Sequence, residues 1–238
     1  MMAILRGPSI VYDSLILLAD PANPKSNGDS ATMDDIYGTW SDNVDSSSSL
    51  TLSSSNPKHL TNDGNGGSIR YSRSPYINWA LTSFTFCCWG KRTNYSDSRQ
   101  GRMFDLTNAG NGHMRLTLEA TPSLIQRPTA GSSSTLISGG STTAGNWYNI
   151  TVTKLGAESG GTAAYKLYIN GAEAASNSSS ALVTDSNFTY IRTMRSADDD
   201  QTGISWLGDF GPLLVYETAL SADQVLQNFN AYKSRFGL

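Results

Sequence analysis

Cysteine is almost absent: the two in 238 residues are the adjacent Cys87 and Cys88. Neighbours on a strand point to opposite faces, which disfavours an ordinary disulfide between them, so both read as small apolar packing residues. Nothing in the cysteine usage requires an oxidising compartment. Long apolar runs are missing too. The segment 15–19 (LILLA) is stopped by Asp20 and Pro21, is too short for a membrane span, and reads as a buried strand. Basic clusters are missing as well, the densest being Lys91-Arg92. With 17 basic and 20 acidic residues and a net charge of -3, the chain has no electrostatic footprint for nucleic acid. The only histidines, His59 and His113, stand in neither zinc-ligand nor nucleophile spacing and read as ordinary surface or loop residues. Neither a P-loop nor a dinucleotide fingerprint occurs.

What is present is strand chemistry. There are 22 glycines, 11 tyrosines and long Ser/Thr stretches, while strong helix formers are few outside the last 20 residues. The clearest strand is 83–92 (SFTFCCWGKR), with Phe84, Phe86 and Cys88 on one face and Thr85, Cys87 and Trp89 on the other. Apolar residues on both faces place it centrally in a sandwich. Two-residue alternation recurs at 103–106, 113–119, 147–154 and 164–170, and Asn170-Gly171 supplies the positive φ angles of a tight hairpin turn. Further strands are expected at 188–194 and 203–216, the latter interrupted by Gly208, Gly211 and Pro212. Between 25 and 67 the Ser/Asn/Asp/Gly-rich sequence predicts a long looped connection with one or two short strands. Ser221-Ala222-Asp223-Gln224 is a capping-box pattern, and Leu226, Phe229 and Tyr232 mark the apolar stripe of a short helix. The expected architecture is all-β: one two-sheet antiparallel jelly-roll sandwich over 13–238, closed by a short C-terminal helix and preceded by an arm, 1–12.

Three segments carry a family resemblance: 83–91 with its Phe-Thr-Phe then Trp, 147–171, and 210–229 with Ala219-Leu220-Ser221-Ala222-Asp223. In spacing and order they resemble the laminin-G-like branch of the concanavalin-A-like fold. The opening 7–26, with its Asp20-Pro21-Ala22-Asn23-Pro24-Lys25-Ser26, and the ending 228–237 are similar to those of laminin-G-like proteins carried by tailed bacteriophages. That resemblance implies a non-catalytic virion protein, as a capsid decoration, fibre, neck or tail component. It also implies other virion proteins as partners, a homo-oligomeric state and a virion location. A carbohydrate-binding adhesin reading host-surface glycans is the competing expectation, and a polysaccharide-degrading enzyme the third. Hydrolases on this fold carry Glu-x-Asp-x-x-Glu on one strand, which alternation sets on one face over the sugar. Here the only glutamates are Glu119, Glu158, Glu173 and Glu217, none followed two residues later by Asp, so that motif is absent.

Individual residues give narrower expectations. Sugar faces stack on exposed aromatic rings. Trp89, Trp147, Trp40 and Trp206 read as core, leaving Tyr76, Trp79 and Tyr95 as candidate exposed ligand-binding residues. Asp198-Asp199-Asp200 reads first as a solvated acidic turn. Its alternative is calcium, the only cofactor considered, which favours several hard oxygen ligands from a loop, with Asp105 beside a strand end as a further ligand. Finally, Ile4, Leu5, Ile10 and Val11 make the arm apolar, so it must be covered. Either it docks on its own sandwich, or it assembles the protein by pairing with a neighbouring subunit or platform.

Overall fold

The computed structural model describes residues 9–27, 32–45, 49–79, 82–95, 101–107, 113–127, 133–156, 162–180, 189–195 and 206–238. The chain begins with β1 (Leu15–Ala19), one helical turn α1 (Pro24–Asn27), β2 (Ser41–Asp45), β3 (Leu50–Leu52), β4 (Leu60–Asp63) and β5 (Ser68–Ser72). Next come β6 (Phe84–Arg92), β7 (Arg102–Thr107), β8 (His113–Thr117), β9 (Ser123–Arg127) and β10 (Ser134–Ser138). It ends with β11 (Tyr148–Leu155), β12 (Thr162–Ile169), β13 (Ala172–Ser180), β14 (Tyr190–Thr193), β15 (Leu207–Tyr216) and α2 (Ala222–Tyr232), followed by a 3-10 turn, Lys233–Phe236. All pairings are antiparallel, in two sheets ordered β13-β12-β11-β6-β15-β4-β3, with β1 also on β15, and β10-β9-β8-β7-β14-β5-β2. The all-β sandwich with a short C-terminal helix is thus the observed fold.

β6 occupies the centre of the first sheet because it can be buried on both faces. Phe84, Phe86 and Cys88 point into the core between the sheets, where Phe86 stacks on Phe104 of the second sheet at 4.2 Å. Cys87 and Trp89 point outward and are buried by what lies over the sheet. The cover is α2 with the turn after it. Trp89 stacks on Phe229 at 5.7 Å and on Phe236 at 4.4 Å. The capping box forms as the sequence predicts, with Ser221 accepting from the Gln224 N–H and the Gln224 side chain accepting from the Ser221 N–H. The apolar stripe differs by one residue: Val225 and Phe229, four apart, are buried, and Leu226 is exposed beside the Asn170-Gly171 turn.

The described part of the N-terminal arm packs on its own chain. Ile10 and Val11 are buried beside Leu214 and Val225. The Val11 N–H donates to Asn228 Oδ1 at 2.8 Å, and its carbonyl accepts from the Tyr216 hydroxyl at 3.0 Å. Of the two expectations for the arm, docking on its own sandwich describes these two residues, which cover the outward apolar residues of β15 and α2; Ile4 and Leu5 lie outside the described residues. Three further differences concern strands. The stretch 25–67 holds three short strands rather than one or two. β9 and β10 form where none is expected. β15 runs unbroken through Gly208, Gly211 and Pro212, absorbing the irregularity as a bulge between Phe210 and Leu213. The stack under α2 makes Trp89→Ala costly: the substitution should lower unfolding free energy by about 3–5 kcal/mol, the usual loss for a buried large aromatic. Denaturant unfolding of the variant beside the parent measures it.

Candidate functional site

Strand parity carries the outward row of the first sheet past the end of the helical cover. Lys91 follows Trp89 by two residues on β6 and so shares its face. Asn149 pairs with Trp89, which brings Trp147 beside Lys91; Asp209 of β15 pairs with Lys91, and Thr61 of β4 with Asp209. The transverse row is therefore Trp147, Lys91, Asp209, Thr61. Lys91 Nζ lies 2.6 Å from Asp209 Oδ2, the Thr61 hydroxyl donates to Oδ1 at 2.9 Å, and His59 Nε2 lies 3.4 Å from the same oxygen. Trp147 is half-buried, braced by the edge of His59 at 5.6 Å and by Phe236 at 4.5 Å, with the Lys91 ammonium 5.7 Å from its ring centre. Beside the row opens a cleft of about 440 Å³ lined by Lys91, Asn146, Trp147, Tyr148, Asn170 and Phe236.

The electrostatics fix this arrangement. His59 Nδ1 lies 2.6 Å from the Pro57 carbonyl, so both ring nitrogens face oxygen acceptors, which the imidazolium form satisfies in full. Burial opposes the positive charge, but the hydrogen bond to Asp209 and its charge outweigh it, and the His59 pKa lies above the ordinary histidine value. Burial likewise opposes ionisation of Asp209, yet hydrogen bonds from His59, Lys91 and Thr61 and the His59 charge hold the carboxyl down to about 2. Chemically, the cleft offers one aromatic wall, amide and phenol groups, and an ammonium held in place by a carboxylate.

The residues singled out in the sequence fall elsewhere. Trp79 is buried in the core, in contact with Phe84 and Phe86 at 5.9 and 5.2 Å, so its reading as an exposed ring is corrected. The carbonyl of Trp79 accepts from Lys154, which ties the loop inward. Tyr95 is half-buried, its hydroxyl bonded to Thr142 and its ring 5.7 Å from the Arg92 guanidinium. Tyr76 is exposed in a separate groove. The three are not brought together. Asp105 is corrected too: it is fully buried on β7 and paired with Arg102, whose charge it neutralises, and no group of three or more metal-ligating side chains forms among the described residues. Asp198, Asp199 and Asp200 lie outside the described residues. His113 is buried on β8, and His59 belongs to the ion-pair row, so neither is an ordinary surface residue. Trp147, expected in the core, lines the cleft instead. Its parity with Lys91 was the signal that could have placed it.

A sequence model described as the concanavalin A-like lectin/glucanases superfamily, Laminin_G_3, matches residues 63–226. No curated protein sequence matches the chain. Among solved structures, domain 4 of AbnA, an extracellular GH43 arabinanase from Geobacillus stearothermophilus solved in complex with arabinotriose, is similar with a TM-score of 0.66 at 16% identity, over 90% of this chain and 98% of that one. The binding domain of Paraclostridial Mosquitocidal Protein 1 is similar with a TM-score of 0.66 at 18% identity, over 92% of this chain and 52% of that one. A structure of botulinum neurotoxin type C, described as dependent on two ganglioside molecules for cell entry, is similar with a TM-score of 0.66 at 16% identity, over 92% and 51%. The chain thus spans about half the length of the two toxin structures and nearly all of the arabinanase domain, and at these identities the likeness is one of fold.

The row predicts a pH signature. Asp209, with its lowered pKa, contributes stability that is present above the ordinary aspartate value of 3.8 and lost as pH falls towards about 2. His59, with its raised pKa, contributes stability present below 6.5 and lost as pH rises through its folded-state value. The melting-temperature gap between the parent and Asp209→Asn should therefore be widest between pH 3.8 and 6.5. It should close at the acid side and narrow in part at the alkaline side, where Lys91 still pairs with Asp209. Thermal melts across pH check this.

Proposed function

The chain belongs to the laminin-G-like family of the concanavalin A-like lectin/glucanase superfamily, and from that membership and the geometry of the cleft we propose that it is a non-catalytic glycan-binding module. The observation that carries the reading is the half-buried Trp147 beside a fixed Lys91 in an open cleft. Sugars are held by an aromatic surface for their C–H faces and a few oriented polar groups for their hydroxyls. Here the polar groups are pre-organised, since Asp209 is itself held by Thr61 and His59. The same carboxylate argues against hydrolysis. Glycoside cleavage uses two carboxyl groups flanking the bond. Among the described residues the row beside the cleft holds Asp209 alone, and all its neighbours are engaged in keeping it ionised. The arabinanase domain, similar over nearly its full length and solved with a bound arabinotriose, supports the glycan reading.

A second reading, compatible with the first, sets this module on a virus particle, self-associated and docked on other virion proteins. It rests on the resemblance of segments 7–26 and 228–237 to laminin-G-like proteins of tailed phages; the two segments also meet in space. Arg235 donates to both oxygens of Asp20 at 2.7 and 2.9 Å, and the Val11 N–H donates to Asn228 Oδ1 at 2.8 Å. Peptides of this chain in purified particles would support that location, and particles lacking them would end it. For the glycan reading, binding is measured by calorimetry against arabinotriose and by a glycan array. Trp147→Ala is expected to weaken binding at this cleft about tenfold, equivalent to 1.4 kcal/mol, while the variant still melts cooperatively. Unchanged affinity in a folded Trp147→Ala protein would sink the assignment.

A further inference from the structure

Three aromatic side chains are largely exposed among the described residues, Tyr12 at 61%, Tyr37 at 45% and Tyr76 at 57%. All three line grooves that adjoin across one turn. Tyr12 and Tyr37, with Asn23, Lys25 and Ile36, line a groove of about 330 Å³. Tyr76, with Thr39, Ser41, Ser72, Arg73 and Ser74, lines one of about 380 Å³. Tyr37 borders the first and Thr39 the second, and only Gly38, in the left-handed region at φ 68°, stands between them. Single exposed apolar residues need no explanation, but three exposed rings lining two grooves that flank one turn do.

The rings are mounted on fixed backbone. Buried Asp35 accepts from the Leu18, Tyr37, Thr39 and Trp40 N–H groups at 3.0–3.2 Å, locking the turn that separates the grooves. Next to Tyr12, Val11 is held on both sides by Asn228 and Tyr216. Arg73 is held 3.0 Å from Glu217 and lies 5.9 Å from the Trp40 ring centre. Rigid, amphipathic tyrosines lose little entropy on binding. The chemistry of the lining is hydroxyl, amide and aromatic. Its charges are Lys25 and Arg73, and Glu217 neutralises the latter.

We infer that the paired tyrosine grooves form a second, extended site for a neutral oligosaccharide, so that the module holds two glycan segments at once. Tyrosine rings would carry the C–H faces of successive sugar units, and Asn23, Thr39, Ser41, Ser72 and Ser74 would meet their hydroxyls. The site is distinct from the Trp147 cleft: Leu18 in the first groove pairs with Leu214, five residues along β15 from Asp209, or roughly 17 Å. The inference rests on the reading of the chain as a glycan-binding module and not on the Trp147 cleft itself.

Calorimetry with neutral arabino-, xylo- and gluco-oligosaccharides of three and six units tests it on the full chain. The parent is expected to bind two ligands, Trp147→Ala one, and the double variant Tyr37→Ala with Tyr76→Ala the other one. The affinity that the tyrosine variant loses should fall at least tenfold and should be several-fold higher for hexasaccharide than for trisaccharide. Both tyrosines are exposed, so the variant should keep the parent melting temperature. A single site abolished by Trp147→Ala alone would overturn the inference and leave the first reading standing; a single site abolished by the tyrosine variant alone would end the Trp147 cleft as a glycan site and overturn the claim that two segments are held at once. No binding of any sugar by the parent would end both. Self-association abolished by the tyrosine variant, with sugar binding intact, would make this surface a protein contact and overturn the inference.

Discussion

The structure depends on one constraint: its central strand, β6, is apolar on both faces and must be covered on both. The inward side is covered by the second sheet, whose Phe104 meets Phe86. The outward side has no third sheet to meet it, so α2, the 3-10 turn and residues 9–12 close over Cys87 and Trp89. This explains why residues 9–20 and the C-terminal segment interlock. Asn228 ties α2 to Val11, Tyr216 ties β15 to Val11, and Arg235 ties the closing turn to Asp20. A helix of eleven residues is marginal alone, and its buried face against Trp89 is what makes it form.

The outward residues of β6 change character in order along the strand. Thr85 is satisfied by the Thr218 carbonyl and the Leu220 N–H. Cys87 and Trp89 lie under the cover, and Lys91 emerges where the cover stops. The cleft therefore opens where the cover stops, past Phe236 of the 3-10 turn, which packs on both Trp89 and Trp147. A half-buried indole beside an ion-pair row is what remains at the margin of an apolar cover laid across a sheet.

Legibility in the sequence follows from the same physics. β6, β11 and β12 were readable because burial on one or both faces imposes alternation, and the helix because its capping box is a local signal. β9 (SLIQR) and β10 (STLIS) were not, being short, polar in large part and at the edge of the second sheet, where pairing rather than composition makes a strand. The tryptophans divide in an instructive way. Trp89 was placed by its own strand pattern. Trp79 and Trp147 were misplaced because exposure there depends on non-local elements, Lys154 drawing the Trp79 loop inward and α2 ending short of Trp147. The row His59, Lys91, Asp209 joins residues up to 150 apart in sequence, and no spacing rule reaches across that distance.

Three of the described aspartates, Asp35, Asp20 and Asp209, hold the frame of the protein together. A carboxylate has about four lone-pair sites. Asp35 directs its two oxygens to four backbone N–H groups and the Thr39 hydroxyl, terminating the turn between β1 and β2. Asp20 takes the Ala22 N–H and Arg235, joining the end of β1 to the closing 3-10 turn. Asp209 takes Thr61, Lys91 and His59. Each is tied to several donors of its own chain, so each holds its neighbours in a fixed place. Carboxylates committed in this way make loops rigid, and rigid loops can carry aromatic rings at the surface without collapsing them into the core. Tyr37 stands on the Asp35 turn and Trp147 stands beside the Asp209 row. Under the proposed reading, aromatic and polar groups do the recognising, and the carboxylates hold the frame on which they are displayed.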